Sequence, residues 1–256
     1  MKYVKIGDME FSRAICGTNA FYGRSHFSAA RDLEYRERFD DAYLSAAIET
    51  CLRLGINTVE TSANERIEGL IQSLRQKRPG VLHCIGSTRI DETSAMKSHH
   101  QKLDFLIQNR TAVCVIHAQY LDHAQKAGAI PGLDRMLAKI HAAGLLAAVS
   151  THQINTVELC EENGYAIDTY LFPLNPTGFV YPGYEGKETA AERVRLVQSI
   201  AKPFILMKTL GAGRIPPAEG IQFVAENCKP NDLVTFGFGS LAEIDETMAL
   251  FEKYFH

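Results

Sequence analysis

At 256 residues, 46% hydrophobic and 22% charged, the chain is long enough to bury an ample core as one large globular domain or two small ones. A formal net charge of −3 excludes the clustered basic surface that nucleic-acid binding requires. The longest apolar stretch, around Ala142–Val149, is far too short to span a bilayer. Met1–Phe11 alternates and carries charge where a secretory signal would be apolar, so no signal is expected there. Cys16, Cys51, Cys84, Cys114, Cys160 and Cys228 are scattered with no C-x-x-C pair, which reads as reduced thiols in a cytoplasmic protein. The sequence fixes no oligomeric state.

Short β-branched runs alternate with amphipathic segments along the whole chain. Strands are expected at Arg13–Cys16, Asn57–Glu60, Val81–Ile85, Ala112–Ile116, Leu145–Val149, Asp168–Phe172, Phe204–Met207 and Leu233–Phe236. Helices are expected at Asp40–Leu54, Glu65–Gln76, Asp91–Gln108, Leu133–Ala143, Thr156–Asn163, Thr189–Ile200, Ala218–Glu226 and Leu241–Tyr254. The ends carry their own markers. Asn155 with Glu158 reads as a capping box, Gly55, Gly144 and Gly164 as left-handed stops, and Pro216-Pro217 as a first turn that tolerates a missing N–H.

Strands that are apolar throughout, with short connections, indicate a parallel sheet buried on both faces. Eight such units predict an α/β fold, a closed (β/α)8 TIM barrel forming a single domain over residues 1–256. Gly17–Gly23 does not match the G-x-G-x-x-G fingerprint of an open dinucleotide-binding sheet. The opening segment Lys2–Arg13 reads as a β-hairpin plug for the barrel bottom.

In such a barrel, chemistry belongs at the C-terminal strand ends. Glu60 and His117 form the candidate proton-handling pair, since a carboxylate and an imidazole shift each other's proton affinity. His152 is a further catalytic candidate. Lys208 is read as a phosphate clamp, a Schiff-base nucleophile or a counter-ion to Glu60, whose alternative reading is a plain ion pair with Lys208 or Arg89. Substrate contacts are expected from Asn19, Tyr22, His26, Thr88 and Asn175, with Tyr22 and His26 in the long first loop able to donate a proton from another direction. Gly211, Gly213, Arg214, Gly239 and Ser240 form a candidate anion or cofactor corner, where loop N–H groups and a helix start would face a phosphate. Glu60, His117, His152 and His26 make a nitrogen–oxygen set, but no short ligand spacing supports a metal, and none is assigned. His99-His100 is expected on the solvent face of the third helix.

Several stretches resemble the aldo/keto reductase superfamily. Gly7-Asp-Met-Glu-Phe-Ser-Arg-Ala-Ile-Cys-Gly-Thr18 is similar to its opening hairpin and first strand, Gly55-Ile-Asn-Thr-Val-Glu-Thr61 to its G-I-N-x-x-D-T strand, and Val113-Cys-Val-Ile-His117 to the strand ending in its active-site histidine. Gly144-Leu-Leu-Ala-Ala-Val-Ser150, Met207-Lys-Thr-Leu-Gly-Ala-Gly-Arg214 and Gly239-Ser-Leu-Ala-Glu-Ile-Asp-Glu246 extend the resemblance over nearly the whole chain. It implies a barrel with nicotinamide-dependent carbonyl chemistry, and five departures run against that implication. The family's catalytic tyrosine falls at Asn64 or Glu65, and its lysine at Thr88 with Arg89 adjacent. Its nicotinamide-binding asparagine falls at Thr151, its glutamine at Leu171, and its 2′-phosphate arginine at Glu243. The catalytic aspartate becomes Glu60, and only His117 is retained outright.

Three readings follow. The first is an enzyme on this barrel performing acid–base chemistry, of lyase, isomerase or hydrolase type, on a small polar molecule, sugar-like or phosphorylated, with no cofactor assigned. The second is an oxidoreductase with an unconventional proton donor, using NAD(H) rather than NADP(H) because Glu243 would repel a 2′-phosphate. The third is a non-catalytic barrel that binds a ligand or partner.

Overall fold

The computed structural model describes residues 1–80, 82–122 and 128–255. Val81, the first residue of the third expected strand, lies outside them. A two-stranded antiparallel hairpin, β1 (Tyr3–Ile6) and β2 (Met9–Ser12), opens the chain, with Tyr3 opposite Ser12 and Ile6 opposite Met9. Eight parallel strands then close a barrel: β3 (Ala14–Gly17), β4 (Thr58–Ser62), β5 (His83–Ser87), β6 (Val113–Ile116), β7 (Leu146–Ser150), β8 (Thr169–Pro173), β9 (Phe204–Met207) and β10 (Leu233–Gly237). Each pairs with its neighbours in sequence, and β10 closes the ring on β3 with Gly237 opposite Gly17. The expected (β/α)8 architecture is what forms.

Among the described residues, ten α-helices accompany the strands: α1 (Ala29–Arg38), α2 (Asp41–Arg53), α3 (Glu65–Lys77), α4 (His99–Gln108), α5 (Ala118–Leu121), α6 (Leu133–Ala142), α7 (Ile154–Glu162), α8 (Ala190–Ser199), α9 (Pro217–Asn227) and α10 (Leu241–Tyr254). Among the described residues, none is long and apolar enough to cross a membrane.

Three sequence expectations about helices need correction. Helix α4 begins at His99 rather than Asp91, because Ser98 and Gln101 form a capping box there and Asp91 instead makes a local turn with Thr93. Helix α7 starts earlier than expected, with Gln153 as its cap and Asn155 already inside, so the Asn155–Glu158 capping box does not form. The long first loop contains α1, started by the Ser28 hydroxyl accepting from the Arg31 amide.

Alternation along the strands divides the interior into two cores. Cys16, Val59, Cys84, Cys114, Val149, Phe172 and Leu206 point outward into the layer between strands and helices. Ile15, Ile85, Val113, Val115, Ala148, Leu171, Ile205 and Leu233 point inward and fill the barrel. Val4, Ile6 and Phe11 of the hairpin join this inner cluster, so β1–β2 closes the barrel end where the strands begin. Each such side chain removed from water contributes about 1.5–3 kcal/mol.

Candidate active site

The inward register, continued past the apolar layers, reaches the polar mouth. Gly17, Glu60, Ser87, His117, Ser150, Leu171, Met207 and Thr235 all line one cavity of about 1000 Å³ at the C-terminal ends of the strands. Lys208 joins them by another route. It follows the inward-facing Met207, so strict alternation would turn it toward the helices, but its φ of 63° takes the chain off the strand and into the mouth. His26 (φ 55°) and Ala212 (φ 56°) line the same cavity with the same left-handed backbone, a conformation that costs a non-glycine residue about 1–3 kcal/mol.

Glu60, His117, His152 and Lys208, the four catalytic candidates, therefore share a cavity with Asn19 and His26. Burial pushes the Glu60 carboxyl up to about 7, against the pull of Lys208 and Arg89. Burial, with the nearby Arg89 charge, pushes the Lys208 ammonium down to about 8, and Glu60 opposes that shift. Neither group forms an ion pair within 4.0 Å among the described residues, so the plain salt bridge open at the sequence level is not made. Two groups with proton affinities at and just above neutral pH thus face one space without a direct ion pair between them.

The imidazoles are held in defined tautomers. His117 Nδ1 accepts the Gln119 amide at 3.2 Å, which leaves its proton on Nε2, and burial together with Arg89 holds the ring neutral. Thr88 supports this ring: its hydroxyl accepts the His117 amide at 3.0 Å, and it meets His99 Nδ1 at 3.2 Å. His152 Nδ1 lies 2.9 Å from Asp122 Oδ2, while the Thr151 hydroxyl donates to Asp122 Oδ1 at 2.6 Å. Arg193, 1% exposed, and Tyr184 both donate to the His152 carbonyl, at 2.9 and 3.1 Å.

Other expected site residues are elsewhere. Tyr22 does not line the cavity; its hydroxyl lies 2.6 Å from Thr61 Oγ1, and burial raises its pKa, which removes it as a proton donor. His26 reaches the mouth, but burial between cations pushes it down to about 3, so it stays neutral. Thr88 and Asn175 are buried behind the wall. Asn175 ties the β8–α8 loop to β9 through Phe179 O at 2.7 Å and Lys208 O at 3.1 Å. His99, expected on a solvent face, is half-buried with Nδ1 on the Thr88 carbonyl at 2.9 Å.

The anion corner is already occupied by the chain itself. The Gly211 and Gly213 amides donate to Lys208 O at 2.8 Å and Leu210 O at 2.9 Å. Arg214 donates to His26 O at 2.9 Å and stacks on Phe27 and Phe179. The Gly239 amide donates to Glu243 Oε2 at 2.8 Å, and Ser240 caps α10 by accepting the Glu243 amide. Arg38 of α1 donates to Gly239 O at 2.6 Å, and any Cβ on Gly239 would lie 2.5 Å from the Tyr35 hydroxyl. Of the five corner residues only Gly213 lines the cavity. The donors that would hold a dinucleotide pyrophosphate there are engaged, and a carboxylate stands at the helix start, so these residues do not fit that group.

Sequence reasoning missed Asp122, which follows the short helix α5, an element with no apolar periodicity. Arg89, two residues past the end of β5, reads in the sequence only as an ion-pair partner of Glu60 and not as a residue of the site. Among the described residues no group of three or more His, Cys, Asp or Glu is arranged to hold a metal ion.

No family model matches the chain, and no curated protein sequence does. Solved structures do match. A Pseudomonas aeruginosa protein described as a putative aldo-keto reductase superposes with a TM-score of 0.70 at 14% identity, covering 99% of this chain and 96% of the other. A glycerol dehydrogenase of Gluconobacter oxydans gives 0.65 at 14%, covering 97% and 90%. The holo form of an aldo-keto reductase of Bacillus halodurans gives 0.69 at 12%, covering 98% and 91%. The molecule shares the (β/α)8 barrel fold of these structures. The likeness to these structures is one of fold, and the chemistry is argued from the residues of the mouth.

Proposed function

We propose that the chain is an enzyme on an aldo/keto reductase-like barrel that moves a proton next to the carbonyl of a small polar substrate, an isomerase- or lyase-type reaction. The observation that carries this reading is Glu60 and Lys208, with values of about 7 and 8 and no direct ion pair between them, facing one cavity with the neutral His117. A base and an acid work best when their proton affinities lie near the working pH. The ionised Glu60 carboxylate takes a proton from the carbon beside the carbonyl. The electrons of that C–H bond form a carbon–carbon double bond, and those of the C=O bond move onto oxygen. His117 Nε2–H and the Lys208 ammonium stabilise the resulting oxyanion, and Glu60 returns the proton to carbon. His152, oriented by Asp122, is placed to exchange protons with a neighbouring hydroxyl.

The test needs no nucleotide. Sugars, sugar phosphates and 2-oxo acids are incubated with the protein in D2O, and exchange of the hydrogen beside the carbonyl is followed by proton NMR. Exchange is expected with the wild type, and a loss of about 10²–10⁴-fold is expected in Glu60→Gln. Turnover that appears only after NADH or NADPH is added contradicts the reading. Such a result would favour a nicotinamide-linked oxidoreductase, an alternative supported by the cavity's extent from His152 to Glu243 and Thr247, beyond the needs of a small substrate.

A further inference from the structure

Resting on that reading, we propose that Arg89 is a carboxylate-binding residue and that the substrate is a small 2-oxo acid. Its carboxylate lies on the Arg89 guanidinium, and its carbonyl oxygen faces Lys208 and His117.

Arg89 follows β5 and lines the mouth cavity half-buried. Among the described residues its guanidinium has one hydrogen bond, a long 3.4 Å contact to Asn19 Oδ1, and no acidic partner within 4.0 Å. The remaining donors of this half-buried fork meet no protein acceptor among the described residues and are open to a ligand in the cavity. The other two arginines that line the mouth have acidic partners: Arg24 meets Asp91 at 3.2 Å and Arg31 meets Glu34 at 3.5 Å. Arg214, outside the cavity lining, is held by backbone carbonyls and two aromatic rings. The Arg89 charge lowers the Lys208 proton affinity while Glu60 opposes that shift, so two cations and one carboxyl share the field of the mouth.

The geometry favours a carboxylate over a phosphate. A tetrahedral dianion is best held by a cradle of backbone N–H groups, and those of Gly211, Gly213 and Gly239 are already engaged. A planar carboxylate needs only the fork of one guanidinium. With the carboxylate on Arg89, the adjacent carbonyl lies toward the oxyanion donors, and the next carbon presents its hydrogen to Glu60.

Calorimetry with oxalate, a planar dianion shaped like the enolate of a 2-oxo acid, tests the proposal. Oxamide serves as its neutral isostere, and inorganic phosphate as the competing anion. Saturable oxalate binding to the wild type is expected, with no heat from oxamide and at least tenfold weaker binding of phosphate. Arg89→Ala is expected to weaken oxalate at least tenfold, and Arg89→Lys to recover only part, since a point charge lacks the fork. Absence of oxalate binding to the wild type, phosphate binding more tightly than oxalate, or equal oxalate affinity in Arg89→Ala each overturns the proposal. The wild-type contrast among the three probes decides the matter even if a variant does not fold.

Pyruvate exchange in D2O separates this proposal from the reading beneath it. Glu60-dependent exchange of neutral carbonyl compounds without oxalate binding removes Arg89's role and leaves the proton transfer. Arg89-dependent oxalate binding with no exchange of any compound removes the proton transfer and leaves the carboxylate site.

Discussion

Burial moves the Glu60 proton affinity from an ordinary 4.5 to about 7, so between those values the folded chain holds a proton that the unfolded chain has released. Stability contributed by that proton is present at acid pH and is lost as pH rises toward 7, on the order of 3 kcal/mol in all. Lys208 acts in the opposite sense. Its folded value of about 8 lies below the ordinary 10.5, so its burial costs stability below pH 8 and the cost is relieved between 8 and 10.5. Glu60→Gln is therefore expected to melt above the wild type at pH 8, with the difference shrinking toward pH 5, as read by thermal denaturation across pH. Equal melting temperatures at both pH values would mean that the carboxyl is not perturbed. For catalysis, Glu60 must be ionised and Lys208 protonated, so rate against pH is expected to be bell-shaped with its maximum between 7 and 8. In Lys208→Met the alkaline limb should disappear. A rate that rises steadily through pH 9 in the wild type would contradict the assignment.

The strands were legible because each is a short apolar run whose alternation continues into the polar residues of the mouth. Glu60, His117 and His152 could be placed over one cavity from that register alone. Lys208 reaches the cavity through a positive φ that no pattern in the sequence marks. Helix α1 escaped notice because it buries none of its residues, leaving no apolar stripe to read, and Tyr35 and Arg38 fasten it to the Gly239 corner instead. The corner itself was misread: glycines look alike in sequence whether their amides face a ligand or close a turn. Gly239→Ala would drive a methyl into the Tyr35 ring, and faster amide exchange across Ala29–Arg38 is expected with little change in melting temperature. Gly220→Ala in α9 is the contrasting case. Its methyl would lie 2.5 Å from the Thr209 carbonyl, beside Lys208, so the backbone itself must move. A loss of about 1–3 kcal/mol is expected by denaturant unfolding. Unchanged exchange in the first variant or unchanged stability in the second would contradict these packings.

At the scale of the whole molecule the barrel separates stability from chemistry. The bottom is closed by β1–β2, with Phe11 fully buried and its ring 5.0 Å from His83, while the charged groups gather at the opposite end. Phe11→Ala should therefore cost about 3–5 kcal/mol and leave the pH–rate profile of the surviving folded protein unchanged. Chemistry at the mouth depends on one physical circumstance, a carboxyl drawn out of water near cations with which it makes no direct ion pair. Carboxyl carbon-13 NMR of the protein, with the Glu60 resonance assigned by its absence in Glu60→Gln, measures that circumstance directly. A titration midpoint near 7, moving higher in Lys208→Met, is the predicted result, and a midpoint near 4.5 that ignores Lys208 would contradict it.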